Sequence, residues 1–272
     1  GRQTAFVTNA LSIACSVSSN SLAVEVLPVG KTVGVTLTEY YYPALDYYFL
    51  TGRAGDKAAR YLLDFDLGTG RVLHARVALS TVDVDGARRN LAVDEDKPFD
   101  AVRAAADAQW QRLLSRIQID ADARFRKIFY SALYRTLLHP SDIADADGRV
   151  RGPTGEVMTA PGGVYYSTLS LWDTFRGVHP LFTLLVPERV PGFVQTMLAH
   201  HRAMGYLPLW TAWGRETHTM IGNPALPVIA DAVAKGFAGF DIHAALQAMV
   251  ETSTLPRPRA PEWAQRDWKV YE

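Results

Sequence analysis

Two hydrophobic periods run along the chain, and one gives way to the other near residue 100. In the first third, Val33, Val35 and Leu37 alternate with Thr32, Gly34 and Thr36, and Tyr61, Leu63, Phe65 and Leu67 oppose Asp64 and Asp66. Leu73, Ala75, Val77 and Leu79 alternate with His74, Arg76 and Ser80. A period of two with one polar face predicts antiparallel strands buried on one side. Gly52-Arg53-Ala54-Gly55-Asp56 and Gly68-Thr69-Gly70 supply turn chemistry between the runs, and a β-sandwich is the arrangement expected.

Beyond that point the period lengthens to that of a helix. Asp100 reads as an N-cap, followed by Val102, Ala106, Trp110, Leu113 and Ile117 on one face. Phe125, Ile128, Phe129, Ala132, Leu133 and Leu137 form a second helix that must stop by Pro140. A third is expected over Ser170 to Leu185, kinked or divided by Pro180. Val190, Val194, Met197, Leu198 and Met204 mark a fourth, closed by Gly205. A fifth begins near Pro227 and a sixth near Asp241. Successive helices joined by loops suit a helical bundle or an α/α toroid. The expected organisation is a β domain over residues 1–95, a linker helix over 96–120 and a helical domain over 121–272.

Composition narrows the class. At about 150 residues per domain, 272 residues make one large domain or two modest ones. A hydrophobic fraction of 48% against 21% charged excludes disorder. Lys+Arg and Asp+Glu are both 28, so the net charge is zero and no basic footprint for nucleic acid is present. No apolar run reaches the roughly 18 residues of a membrane span. Cys15, alone, excludes an internal disulfide and a cysteine zinc cluster, and reads as an inert buried thiol. The ends, Gly1-Arg2-Gln3 and Trp268-Lys269-Val270-Tyr271-Glu272, read as cut, so a fragment of a longer protein is expected; no leader can be read.

Two loops concentrate unusual residues: Leu169-Ser170-Leu171-Trp172-Asp173-Thr174-Phe175-Arg176, and Leu209-Trp210-Thr211-Ala212-Trp213-Gly214-Arg215-Glu216-Thr217-His218. One reading is packing, with Trp172 buried, Asp173 capping a helix and Glu216 paired with an arginine. The other is a sugar site, because a pyranose offers an apolar face to aromatic rings and a rim of hydroxyls to carboxylates and arginine. Both stay open on composition. Other candidates are weaker. His200 and His201 point about 100° apart on a helix and do not chelate together. Asp142, Asp145 and Asp147 hint at a calcium loop, but Pro153 stands where its closing Glu belongs. Ser167 and Ser170 form no nucleophile elbow.

The run Phe129-Tyr130-Ser131-Ala132-Leu133-Tyr134-Arg135-Thr136-Leu137-Leu138, then Asp147-Gly148-Arg149-Val150-Arg151-Gly152, resembles glycoside hydrolase family 92. So do Ser170-Leu171-Trp172-Asp173-Thr174-Phe175-Arg176, Gly214-Arg215-Glu216-Thr217 with Met220-Ile221-Gly222, and Pro227-Val228-Ile229-Ala230-Asp231-Ala232, in one order from about residue 75 to 235. Residues 1–74 agree in character only. The resemblance implies a calcium-dependent, inverting, exo-acting α-mannosidase with a mannose-containing glycan as substrate and a secreted or periplasmic location. It implies the C-terminal part of a β-sandwich followed by the first half of an (α/α)6 barrel, both incomplete. By the same resemblance Glu216 is the general acid, and Trp172 and Asp173, with Arg176, Trp210 and Trp213 nearby, line the sugar subsite.

Two positions depart from the family pattern: Arg215 stands in place of Asn, and Asn223-Pro224-Ala225 replaces a Tyr-His-small run. Arg215 is expected to lower the Glu216 pKa, and burial by Trp210 and Trp213 to raise it. The family's base lies in a Gly-Asp-Asp-Asp stretch that is absent here, Gly55-Asp56-Lys57 being the nearest. The base is therefore expected in a missing C-terminal half, no calcium ligand is assigned, and the chain alone is expected to be inactive. The rival readings are a non-catalytic carbohydrate-binding protein or degenerate hydrolase, and a different (α/α)6 hydrolase in which Glu216 is incidental.

Overall fold

The computed structural model describes residues 10–18, 21–29, 34–41, 57–64, 74–93, 97–257 and 260, with side chains from residue 76 onward. Val33, Phe65, Leu67, Leu73, both predicted turns, Gly55-Asp56 and Trp268 to Glu272 lie outside the described residues. The chain divides into two units, one of residues 1–99 with 145–147, the other of residues 100–144 and 148–272.

In the first unit the strands are β1 (Ala10–Ser18), β2 (Ser21–Val29), β3 (Gly34–Tyr41), β4 (Lys57–Asp64) and β5 (His74–Ser80). β3 and β4 pair antiparallel, as do β1 and β2. β5 joins β1 in parallel, from Ala10↔His74 to Ser16↔Ser80, so the sheet β2-β1-β5 is mixed rather than wholly antiparallel. Alternation marks a buried face but not strand direction, and the long connection between β1 and β5 permits a parallel return. Helix α1 (Val84–Ala92) starts at Asp83, whose carboxylate accepts the Gly86 N–H, and lies against β5 and β1.

Residues 145–147 complete this unit. Buried Asp145 accepts hydrogen bonds from Ser80 Oγ at 2.7 Å and Asn90 Nδ2 at 2.9 Å. Asn90 Oδ1 in turn accepts the Ala146 N–H at 2.7 Å, and Arg89 pairs with Asp147 at 2.9 Å. A Cβ on Gly86 would overlap both Asp145 Oδ2 and Ser80 Oγ, so only glycine fits there.

The second unit is helix-rich, with α2 (Phe99–Leu114) and α3 (Ala123–Thr136), then the short strands β6 (Ser141–Asp142), β7 (Arg149–Arg151), β8 (Val157–Thr159) and β9 (Tyr166–Ser167). It continues with α4 (Leu171–Thr174), α5 (Val178–Leu185), α6 (Val190–Met204), the hairpin β10 (Thr211–Ala212) and β11 (Arg215–Glu216), α7 (Ala225–Ala234) and α8 (Ile242–Thr254). Capping residues set several ends: Asp122 and Asp241 accept N–H groups at the starts of α3 and α8, and Gly205 closes α6 at φ 85°. Asp100 lies in the first turn of α2, and Ile117 beyond its end.

The helix expected over Ser170–Leu185 divides at Gly177, with φ −147° and ψ −48°, not at Pro180. Pro180 sits in the first turn of α5, where no intrahelical N–H bond is lost.

The core of this unit gathers Leu171, Phe182, Phe193, Val194, Met197, Ile229 and Ala248 from α4 to α8. Within it Phe193 stacks edge-on to Tyr166 at 4.6 Å and His179 at 5.6 Å. His179 is 5% exposed, and burial lowers its pKa from 6.5 to about 4. It is thus neutral in the folded chain and protonates below pH 6.5 when unfolded. Its contribution is present above pH 6.5 and is lost as pH falls toward 4. The loss amounts to about 3 kcal/mol for a displacement of this size. Unfolding free energies measured against pH should fall across this window, and His179→Leu should remove its part of that fall, leaving the parts of His200 and His218.

Candidate active site

The hairpin β10–β11 carries the central carboxyl. Thr211 faces Glu216 and Ala212 faces Arg215, so the two connecting residues are Trp213 and Gly214, with φ 53° and 79°. Two successive positive φ values make the type I′ turn that suits a two-residue hairpin. Glycine is required at 214, since a Cβ there would stand 2.9 Å from the Arg151 carbonyl oxygen. Tryptophan in the left-handed region is strained. Thr168 at φ 58° and His218 at φ 56° share this conformation, so all three positive-φ non-glycine residues among those described lie in or next to the two loops.

Residues 215 and 216 point to opposite faces of the hairpin. Glu216 is 9% exposed, and its carboxylate accepts backbone N–H groups from both sides of the turn. Leu209 donates to Oε2 at 2.6 Å, and Trp210 reaches both oxygens at 3.2 and 3.3 Å. Thr217 and His218 donate to Oε1 at 3.0 and 3.2 Å. Burial pushes the Glu216 carboxyl up from its ordinary value, and these four N–H groups pull it back without cancelling the rise. Arg215 turns away: its guanidinium lies beside Gly155 and is opposed by the charge of Arg151. The expected pull of Arg215 on the acid is therefore absent, because neighbours on a strand alternate faces.

Trp210 joins the loops. Its backbone holds Glu216, while its indole N–H donates to Asp173 Oδ2 at 3.3 Å. Asp173 also accepts the Ser170 hydroxyl, so it braces two loops rather than capping α4. Arg176 lies over the rings of Trp172 and Phe175, 5.0 Å from each centroid. The Trp172 N–H donates to the Leu209 carbonyl, the Thr211 N–H to the Leu169 carbonyl, and the Leu169 N–H to Thr211 Oγ1. Buried Ser167 accepts the Gly214 N–H at 2.9 Å. Trp172, Asp173, Arg176, Trp210 and Glu216 therefore belong to one bonded assembly. Trp213 stands at the turn, 57% exposed, and so does not supply the water exclusion expected of it.

Two residues escaped the sequence reading. Tyr206 packs against His200 and His218, with centroids 5.7 and 6.3 Å apart, and Arg257 lies over its ring at 5.2 Å. A tyrosine next to a C-cap glycine and an arginine between prolines carry no signal in a single sequence. His200 Nδ1 bonds the Tyr206 carbonyl at 3.0 Å, and His201 meets Glu251 at 2.9 Å. Asp142 accepts the N–H groups of Ala144 and Tyr165. Among the described residues no group of three His, Cys, Asp or Glu could hold a metal ion.

Residues 86–272 match the model of the glycosyl hydrolase family 92 catalytic domain. No curated protein sequence matches the chain. The fold is similar to the family GH92 alpha-mannosidase BT3965 from Bacteroides thetaiotaomicron, at TM-score 0.67 and 28% identity over 82% of this chain and 31% of that one. The same mannosidase in complex with mannoimidazole gives TM-score 0.64 and 28% identity, over 83% and 32%. The family GH92 inverting mannosidase BT2199 from the same organism gives 0.66 and 27%, over 87% and 33%. The chain thus spans about a third of each of these structures.

The strained turn makes opposite expectations for neighbouring residues. Trp213→Asn places a residue that tolerates φ > 0 and should stabilise by up to about 1 kcal/mol. Gly214→Ala adds both strain and a clash with Arg151 and should cost about 1–3 kcal/mol. Thermal unfolding of the two variants should therefore shift in opposite directions.

Proposed function

Because the chain belongs to glycosyl hydrolase family 92, we propose that the protein carrying it is an inverting, exo-acting α-mannosidase that removes terminal α-mannosyl residues from glycans. The reading rests on one observation: a buried carboxyl, Glu216, bonded through Trp210 to the aromatic and charged cluster of Trp172, Asp173 and Arg176. The mannosidase structures similar to this chain, one of them holding mannoimidazole, support a mannosyl group as the ligand.

In this reading Trp172 and Trp210 offer apolar faces to the pyranose, and Asp173 and Arg176 bond its hydroxyls. Glu216 donates its proton to the glycosidic oxygen as the bond breaks. Burial keeps the carboxyl protonated to higher pH than a solvated glutamate, as a general acid requires.

Inversion also needs a second carboxylate about 6.5–9.5 Å away to activate water on the opposite face. We assign that base to sequence outside these 272 residues. The reading also includes a β-sandwich packed on an (α/α)6 barrel, a secreted or periplasmic location and a calcium ion bound by oxygen ligands. Among the described residues no group of three His, Cys, Asp or Glu could hold that ion.

Glu216→Gln keeps the shape and removes the transferable proton. In the complete enzyme it should slow disaccharide hydrolysis by about 10²–10⁴, or roughly 3–5 kcal/mol of transition-state stabilisation. An aryl mannoside with a good leaving group should suffer less. Equal slowing of both substrates, or of neither, would show that Glu216 is not the acid. The 272-residue chain by itself should show no mannosidase turnover, and an active preparation would contradict the placement of the base.

A further inference from the structure

We propose that the helical unit holds a second carbohydrate site, built from other residues than the Glu216 assembly, that takes one hexopyranose unit of a glycan. A cavity of about 440 Å³ opens between the turn Pro161–Gly163, helix α6 and the loop from α7 to α8. Small-molecule sites run from about 300 to 1,000 Å³, so it has room for a single sugar. Gln195, Leu198 and Arg202 line it from one face of α6. Pro161 comes from the turn, and Phe240 and Asp241 from the end of the loop. Both outer walls are pinned to the helix. Gln195 Nε2 donates to the Gly239 carbonyl, and Gln195 Oε1 lies 3.2 Å from where a Cβ on Gly162 would stand. Gly239, at φ 97°, approaches Pro191 of α6 so closely that a Cβ would come within 3.2 Å of the proline Cβ. The concavity is therefore set before a ligand arrives, which lowers the cost of binding.

Two opposite charges line this cavity without pairing to each other. Arg202 makes no hydrogen bond or ion pair among the described residues. Asp241 accepts the His243 and Ala244 N–H groups at the start of α8, both through Oδ1, and keeps Oδ2 for a further donor. A carboxylate oxygen and a guanidinium set apart suit a ring of hydroxyls, since one hydroxyl donates to Asp241 and another accepts from Arg202. Phe240 packs against the core yet stays partly exposed, and with Leu198 and Pro161 it offers the apolar surface that the face of a pyranose needs. An inorganic anion would satisfy Arg202 but meet repulsion from Asp241, and an apolar ligand would strand both charges. A neutral polyol satisfies all three surfaces. That the sugar is mannose rests on the proposed function; the site would then hold one branch of a glycan apart from the branch being cleaved.

The test is ¹⁹F NMR of the complete protein labelled with fluorophenylalanine, in its Glu216→Gln form so that the probe is not consumed. The Phe240 signal is assigned by its loss in Phe240→Leu. Methyl α-mannoside should shift that signal saturably. Arg202→Met should weaken the binding about tenfold, the loss of one charge-assisted hydrogen bond. Asp241→Asn keeps an N-cap for α8 while removing the carboxylate, and should weaken it similarly. The absence of a saturable shift, an equal shift with inorganic phosphate, or binding that Arg202→Met leaves unchanged overturns the proposal. If Arg202→Met does not fold, Asp241→Asn decides alone, and unchanged binding there overturns the proposal equally. A silent Phe240 in a protein whose wild type hydrolyses mannosides removes this site and keeps the acid. A saturable shift in one whose wild type does not hydrolyse them does the reverse.

Discussion

The site is organised by the grip of four backbone amides on one carboxylate. A carboxyl taken out of water is costly unless hydrogen bonds replace the solvent, and Glu216 obtains them from Leu209 and Trp210 ahead of the turn and Thr217 and His218 behind it. Satisfying the carboxylate therefore also shapes the hairpin. Thr217 adds to the closure by donating its N–H and its hydroxyl to the Trp210 carbonyl. With Trp210 fixed in this way, its indole can reach Asp173, and the second loop takes its place relative to the first. Removing the carboxylate would leave several buried N–H groups without acceptors, which is why Gln, not Ala, is the informative replacement.

The strain at Thr168, Trp213 and His218 belongs to the same arrangement. Left-handed backbone costs about 1–2 kcal/mol per residue for anything but glycine. It persists here because each neighbouring residue is held: Ser167 by Gly214, Leu169 by Thr211, and the His218 N–H by Glu216. The turn could be relaxed with a residue such as Asn, yet the chain places an exposed indole at that point.

Much of this was legible in the sequence where the signal is local. The caps at Asp241 and Gly205 and the apolar stripe of α6 mark helix ends and faces that the structure reproduces. The Gly-x-Glu-Thr run led to Glu216, and the Trp-Asp pair to the loop bonded to it. Features set by distant partners were not legible. Strand alternation could not tell that β5 runs parallel to β1. Pro180 looked like a break because a proline's effect depends on its place within the helix, and the division at Gly177 decides that place. The charge of Arg215 looked relevant because it is adjacent in sequence, whereas its guanidinium lies beside Gly155, away from Glu216.

The insertion of residues 145–147 into the first unit has a consequence for how the protein is made. Asp145 supplies the acceptor for Ser80 and Asn90, and Gly86 leaves the space it fills. These bonds cannot form when residue 99 leaves the ribosome. They must wait for 145–147, by which time α2 and α3 have also emerged. At about 5–20 residues per second that is a delay of several seconds. The first unit therefore acquires its last buried bonds only after helices of the second have been synthesised.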